Sequence, residues 1–102
     1  MAVNILVIDE RGEKLSFHGF IDEDIDYFPL IEKAKEKNMK MIPFIAHTFN
    51  TIFNENQIKV LKKEVALLRS EPVINPKVLD AIASAILVTE QSEHYYIKFL
   101  GD

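Results

Sequence analysis

The sequence has no cysteine and no tryptophan, and it has three glycines and four prolines among its 102 residues. Without cysteine the chain can form no disulfide, and a structural zinc site, usually built on thiolates, is not expected. The scarcity of glycine argues against a glycine-rich phosphate-binding loop. We therefore expect one globular domain over residues 1–102, stabilised by packing in a reducing compartment, the cytoplasm, with no cofactor.

Long apolar runs and a basic surface are also missing. Residues 78–88 form the longest apolar run, which is too short to span a bilayer and contains Asp80. No basic segment precedes the first apolar run, so the N-terminus does not have the pattern of a signal peptide. The formal net charge is -4, and lysines alternate with glutamates along 32–37 and 59–64. We expect neither a membrane nor a nucleic acid as partner, because both ordinarily require features that this sequence lacks.

Three segments have the pattern of β-strands. Residues 3–8 are rich in β-branched side chains, and residues 15–19 alternate apolar and polar after the turn at Arg11 and Gly12. Together they predict a β-hairpin. The aromatic segment 95–100 predicts a C-terminal strand beside 3–8, since its apolar stripe would otherwise be exposed.

The middle of the chain has the period of α-helices. A short helix is predicted at about 27–37, and two long helices at about 54–70 and 75–90. Residues 39–45 are apolar but contain Pro43, so this segment is either an edge strand or an ordered loop. The predicted fold is α+β, in which the hairpin and the C-terminal strand form a small sheet and the helices pack on it.

The clearest local signal marks the start of the second helix. Asn54 is a favourable N-cap, and Gln57, three residues later, completes a capping box. Phe53 and Ile58 have the spacing of a hydrophobic staple around that cap. Asn75 marks the start of the third helix in a similar way.

Two stretches in the second half of the chain resemble a group of small bacterial proteins for which no activity is established. One is a T-[IV]-F-N-x-x-Q segment, which is Thr51 to Gln57 here, and the other is a Y-[IL]-x-F-[IL]-G-D ending, Tyr96 to Asp102. The resemblance implies a shared fold and a bacterial origin, and it assigns no catalytic residue. In those proteins a Tyr-Gly turn often precedes the threonine, whereas this chain has I-A-H-T-F-N at 45–50.

Polar residues between positions 43 and 57 form a candidate binding site. His47, Asn50, Thr51, Asn54 and Gln57 can meet a ligand at a helix N-terminus, where free N–H groups favour anions. The structural alternative is the helix cap, which explains the asparagine at 54 and the glutamine but none of the other three. At the level of sequence both interpretations stay open.

Metal binding and catalysis have little support. The acidic run at 22–26 resembles the start of an EF-hand loop, but Tyr27 and Lys33 occupy the positions that need glycine and glutamate. His18, His47 and His94 do not have the spacing of a metal site. The chain also contains no G-x-S-x-G or nucleotide-binding glycine motif. We therefore expect no metal site and no catalytic residue.

These observations favour a non-enzymatic protein-binding module, of the immunity type that neutralises a toxin. An acidic surface steers a protein toward basic partners, and a protein partner suits the sequence better than a small molecule. The alternative is a small enzyme or ligand-binding protein that uses residues 43–57 and the start of the helix at 54. No pattern in the sequence specifies an oligomeric state.

Overall fold

A computed structural model describes residues 2–101, and this part of the chain confirms the predicted α+β fold. The strands are β1 Ala2–Ile8, β2 Lys14–Asp22, β3 Thr51–Phe53 and β4 Tyr96–Leu100, and the helices are α1 Tyr27–Glu36, α2 Glu55–Leu68 and α3 Pro76–Thr89. A 3₁₀ turn, Ile42–Phe44, lies between α1 and β3. The two long helices are each one or two residues shorter at their ends than the periodicity suggests, as expected for helix termini.

The sheet is antiparallel throughout, with strand order β2-β1-β4-β3. The C-terminal strand lies directly beside β1, as predicted. Because β1 is central, both of its faces are buried: Val3, Ile5 and Val7 on one side, Leu6 and Ile8 on the other. This burial explains why the strand lacks the alternation of a half-exposed one.

Helices α2 and α3 cover one face of the sheet. Helix α3 contacts β1, β2 and β4, whereas α2 contacts β3 and β4. Their apolar side chains join those of α1 and of the covered sheet face in one core cluster. Leu6 and Ile8 are buried outside that cluster, on the sheet face opposite the helices. We call this opposite side the open face.

Strand β2 is an edge strand with two irregularities in its pairing with β1. At the first, Gly19 lies opposite Ile5 with a φ of 135°, a backbone conformation that glycine adopts readily. A Cβ added at Gly19 would lie 3.1 Å from the Ala81 Cβ of α3. Glycine here therefore permits both the bulge and the close approach of the helix.

The segment 39–45, which the sequence left open, is a loop containing the 3₁₀ turn and not a strand. The actual edge strand lies a few residues later, at β3, where Thr51 pairs with Phe99 and Phe53 with Ile97. Sequence patterns missed β3 because three residues are too few to show alternation. Within residues 2–101, no helix combines the length and the apolarity needed to cross a membrane.

Candidate functional site

The segment 42–50, which we call the aromatic loop, is anchored at its start by a buried carboxylate. Glu64 of α2 is 5% exposed and accepts hydrogen bonds from the consecutive backbone N–H groups of Lys40, Met41 and Ile42, at 2.7, 3.0 and 2.9 Å. These donors lie at the start of the 3₁₀ turn, where N–H groups have no partner within the helix. The carboxylate therefore acts as a cap supplied from a distant part of the chain, and its hydrogen bonds offset its desolvation.

Thr51 closes the other end of the aromatic loop. Its Oγ1 accepts a hydrogen bond from the Ala46 backbone N–H at 3.2 Å and donates one to the Phe44 carbonyl, also at 3.2 Å. One hydroxyl at the first residue of β3 thus holds two backbone groups of the loop. Thr51 was predicted as a binding residue because the helix cap does not account for it. In the structure its hydroxyl instead holds the loop backbone.

The end of β4 packs directly on the aromatic loop. A Cβ added at Gly101 would lie 2.6 Å from the Phe49 carbonyl oxygen and 3.0 Å from that of Ala46. Only glycine allows two backbones to approach this closely. The segments Thr51–Gln57 and Tyr96–Asp102, singled out in the sequence, are in contact through the pairing of β3 with β4, and Gly101 packs on the aromatic loop that precedes the first of them. Asp102, the last residue of the ending, lies outside the described residues.

His47 lies at the centre of a small polar and aromatic cluster. Its Nδ1 is 2.9 Å from Oε1 of Glu23, and its ring centroid lies 5.0 Å from that of Tyr27 and 5.7 Å from that of Phe28, both edge-on. Edge-to-face geometry of this kind is favourable between aromatic rings. The contacts of His47 with Tyr27 and Phe28 join the aromatic loop to the start of α1.

Tyr27 fixes the loop from the inside. Its buried hydroxyl donates a hydrogen bond to the Ile45 carbonyl at 2.5 Å. Burial raises the pKa of the Tyr27 phenol, the Glu23 carboxylate raises it further, and a hydrogen bond from the His47 backbone N–H opposes the rise. The phenol is therefore protonated at neutral pH and remains a hydrogen-bond donor.

The acidic run at 22–26 forms a turn, which we call the acidic turn, next to His47. Asp22 Oδ1 accepts hydrogen bonds from the backbone N–H groups of Asp24 at 2.8 Å and Ile25 at 3.2 Å, as in an Asx turn. In the part of the chain that the structure describes, no group of three or more histidine or acidic side chains is arranged to hold a metal ion. The acidic turn is a charged surface beside the aromatic loop.

Three phenylalanines at this end of the molecule point into solvent. Phe28, Phe44 and Phe49 are 52%, 69% and 65% exposed. None of the three is among the binding residues predicted from the sequence. A signal was present for Phe44 and Phe49, because aromatic residues in a segment without helix or strand periodicity have no predicted core position.

Asn54 and Gln57 form the predicted capping box. Asn54 Oδ1 accepts from the Gln57 backbone N–H at 3.0 Å, and Gln57 Oε1 accepts from the Asn54 backbone N–H at 2.9 Å. Both side chains are thus bonded to the start of α2, beyond β3. Asn50 is exposed at the end of the aromatic loop. Of the five predicted binding residues, His47 and Asn50 lie on the aromatic loop and Thr51 lies in β3 at its end. Asn54 and Gln57 instead have a local structural role in the helix cap.

The other histidines lie elsewhere. His18 of β2 bridges two hydroxyls, with Nε2 2.6 Å from Ser16 Oγ and Nδ1 2.7 Å from Ser84 Oγ of α3, and burial lowers the pKa of its imidazole. His94 lies 3.4 Å from the Glu10 carboxylate. Each of the three histidines therefore has its own set of partners.

A groove of about 400 Å³ runs between α2 and the end of α3, beside Ile58, Ile86 and Tyr95. The buried Thr89 in its wall already donates its hydroxyl to the Ile86 carbonyl at 2.7 Å. Among residues 2–101, no buried side-chain polar atom lacks a hydrogen-bond partner. The groove thus has no unsatisfied buried group aimed at a ligand.

Comparison with protein-family models, with curated proteins and with solved structures found no match to this chain. Inferences about function therefore rest on the geometry of the structure. Within the described residues, His47 has a hydrogen-bonded carboxylate and two aromatic neighbours but no serine or threonine hydroxyl bonded to its ring. Such an arrangement orients an imidazole and presents aromatic surface, and it lacks the nucleophile of a catalytic triad.

Proposed function

We propose that this protein is a non-enzymatic binding module of the bacterial cytoplasm that neutralises a basic partner protein, as an immunity protein neutralises a toxin. The observation that carries the proposal is the exposure of Phe28, Phe44 and Phe49 beside the acidic turn. Exposed aromatic side chains are the typical anchors of protein interfaces.

The rigidity of the aromatic loop supports this role. Its backbone is held by Glu64 at the start, by Thr51 at the end and by Tyr27 from the inside. A loop that is already ordered loses little conformational entropy on binding, so its contacts contribute more to affinity. The polar side chains thus hold the loop in place while the phenylalanines remain available.

Charge supports a basic partner. The acidic turn contributes Asp22, Glu23, Asp24 and Asp26 next to the phenylalanines, and the whole chain has a net charge of -4. A surface of this sign accelerates association with a positively charged protein and disfavours an acidic one. The partner's interface should therefore combine lysine or arginine side chains with apolar pockets that admit phenylalanine rings.

The test is capture of a partner from lysate of the source organism on the immobilised protein, with Phe44→Thr/Phe49→Thr compared with the parent. We expect one stoichiometric basic protein on the parent and at least a tenfold loss on the double variant, because both aromatic anchors are removed. A matched control is Leu67→Gln/Leu87→Gln, which alters equally exposed apolar residues on the helices and should capture the partner normally.

A small-molecule function predicts different results. If residues 43–57 bind a metabolite, a thermal-shift screen of metabolites should raise the melting temperature of the parent protein. Clear stabilisation by a metabolite, together with no stoichiometric protein on the parent, would replace our proposal with the ligand-binding alternative. Equal capture by the parent and the Phe44→Thr/Phe49→Thr variant would place the interface elsewhere.

A further inference from the structure

The open face of the sheet is apolar although no helix of residues 2–101 packs on it. Leu15, Phe17 and Phe20 of β2 and Ile52 of β3 are 45% to 54% exposed. They surround the two buried β1 residues of this face. The open face therefore has exposed apolar side chains at both edges of the sheet and the buried Leu6 and Ile8 between them.

The strand register places one row of side chains across all four strands. Phe17 pairs with Leu6, Leu6 with Lys98, and Lys98 with Ile52. The row thus has an exposed apolar side chain at each end, a buried leucine on one central strand and a lysine on the other. The long aliphatic part of a lysine side chain packs well on apolar surface while its ammonium group reaches water.

The apolar area of this surface falls in the range of the largest patch on a typical monomer, and such patches are often functional. The four half-exposed side chains present on the order of 400 Å² of apolar surface, as large as the most extensive patch on a typical monomer. Two such patches in contact would remove on the order of 800 Å² of apolar area from water. Stable interfaces bury at least about 1,200 Å² in total, so the polar residues around the patch must be buried as well.

The edge of β2 is a poor place for association. Its pairing with β1 is shifted twice, and Gly19 lies in a bulge. Bulges disrupt the row of backbone groups that an incoming strand would need, and natural proteins use them to protect edges. At this end of the sheet the exposed side chains of the face, and not the β2 edge, therefore offer the contact.

We propose that this face binds a second copy of the chain, forming a symmetric dimer with a two-fold axis parallel to the strands, between β1 and β4. In that arrangement β1 of one copy lies over β4 of the other, and β2 lies over β3. Leu6 then covers the aliphatic part of Lys98, and Phe17 meets Ile52 across the interface. The row is complementary to itself, and the two Lys98 ammonium groups are kept apart, which an isologous interface requires. Facing sheets pack about 10 Å apart in this way in β-sandwiches.

Sedimentation equilibrium of the parent protein tests the proposal over micromolar to submillimolar concentrations. The protomer mass is 11.8 kDa, and we expect twice that mass at the upper end. Phe17→Thr/Ile52→Thr keeps strand-forming residues and should weaken dimerisation about a hundredfold. The control Leu87→Gln changes a residue of α3 that is at least as exposed and should dimerise normally.

The absence of cysteine provides a second test that does not depend on how the threonine variant folds. When equal amounts of the Phe17→Cys and Ile52→Cys proteins are mixed and oxidised, the mixed disulfide should clearly exceed the sum of the two homodimeric disulfides, which is the share that random pairing would give. A parent protein that stays at the protomer mass throughout would overturn the proposal. So would a Leu87→Gln variant that loses the dimer as completely as the threonine variant, or disulfides formed in statistical proportions.

Discussion

The inner and outer sides of the aromatic loop are built differently. On the inner side, Glu64 and Thr51 hold the backbone through buried or partly buried hydrogen bonds, and Gly101 through close contacts. On the outer side, Phe44 and Phe49 are mostly exposed and contribute little to the core. Changes on the inner side should therefore lower the free energy of unfolding, whereas changes on the outer side should lower affinity for a partner and leave stability nearly unchanged.

The largest effect should follow from loss of the buried carboxylate. Glu64→Ala leaves the backbone N–H groups of Lys40, Met41 and Ile42 without this acceptor, and that of Ile42 is buried. We expect the free energy of unfolding to fall by about 2–4 kcal/mol. Urea denaturation measures the change. Glu32→Ala on the exposed face of α1 is a matched control, and its effect should stay within about 0.5 kcal/mol. Equal midpoints for the two variants would show that the inner side of the loop is not held as we describe.

The next effect in size concerns Gly101. Alanine at this position would place its Cβ 2.6 Å from the Phe49 carbonyl oxygen, and the shift needed to relieve that overlap should cost about 1–3 kcal/mol. Gly12→Ala is a useful comparison, because Gly12 has a φ of 85° and no atom near an added Cβ. That variant measures backbone strain without a steric contact, about 1–2 kcal/mol. A thermal melt in which Gly101→Ala matches the parent would rule out the close approach.

The helix cap should give a smaller loss. Asn54→Ala removes an acceptor for the Gln57 N–H and should lower stability by about 0.5–2 kcal/mol, whereas Asn54→Ser should retain most of it. Thermal melts of both variants measure the difference. If both melt with the parent protein and lose a partner, these side chains belong to the binding surface and the distinction between the two sides fails.

The hydroxyl of Thr51 can be tested without changing the shape of the side chain. Thr51→Val keeps the branched side chain that suits a strand and removes the hydrogen bonds to Ala46 and Phe44, which should cost about 1–3 kcal/mol. Thr51→Ser keeps the hydroxyl and should fall between valine and the parent. Amide hydrogen exchange at Ala46 offers a local measurement, because loss of its acceptor should speed exchange there first.

Sequence patterns predicted the parts of this fold that depend on local periodicity. The two long helices, their asparagine caps and the place of β4 beside β1 all follow from the spacing of apolar residues and from cap chemistry. Strand β3 exists only because β4, far away in the chain, supplies its hydrogen bonds. A pattern within three residues cannot indicate a hydrogen-bonding partner so distant in the sequence.

The spacing of residues in the sequence partly indicates that Glu64 is buried. It follows Leu61 by three residues and precedes Leu68 by four, which places it on the buried face of α2. The sequence interpretation instead grouped it with the exposed Lys–Glu surface, since buried carboxylates are uncommon. A charged residue within an apolar helix stripe is therefore a signal for a distant backbone partner. The identity of that partner, the turn at Lys40 to Ile42, could not be read from the sequence because it depends on tertiary packing.

The smallest predicted effect concerns the pH dependence of stability at His18. Burial lowers the pKa of His18 below its ordinary value of 6.5, so the unfolded chain binds a proton at a pH where the folded protein does not. Stability attributable to this residue is complete above 6.5 and is lost as the pH falls toward the folded-state pKa. Unperturbed carboxylates titrate lower, so urea midpoints at about pH 7.5 and 5.5 isolate the histidines. His18→Gln should flatten the decline between these two conditions. If the His18→Gln variant declines as steeply as the parent between the two conditions, the pH dependence does not arise from His18.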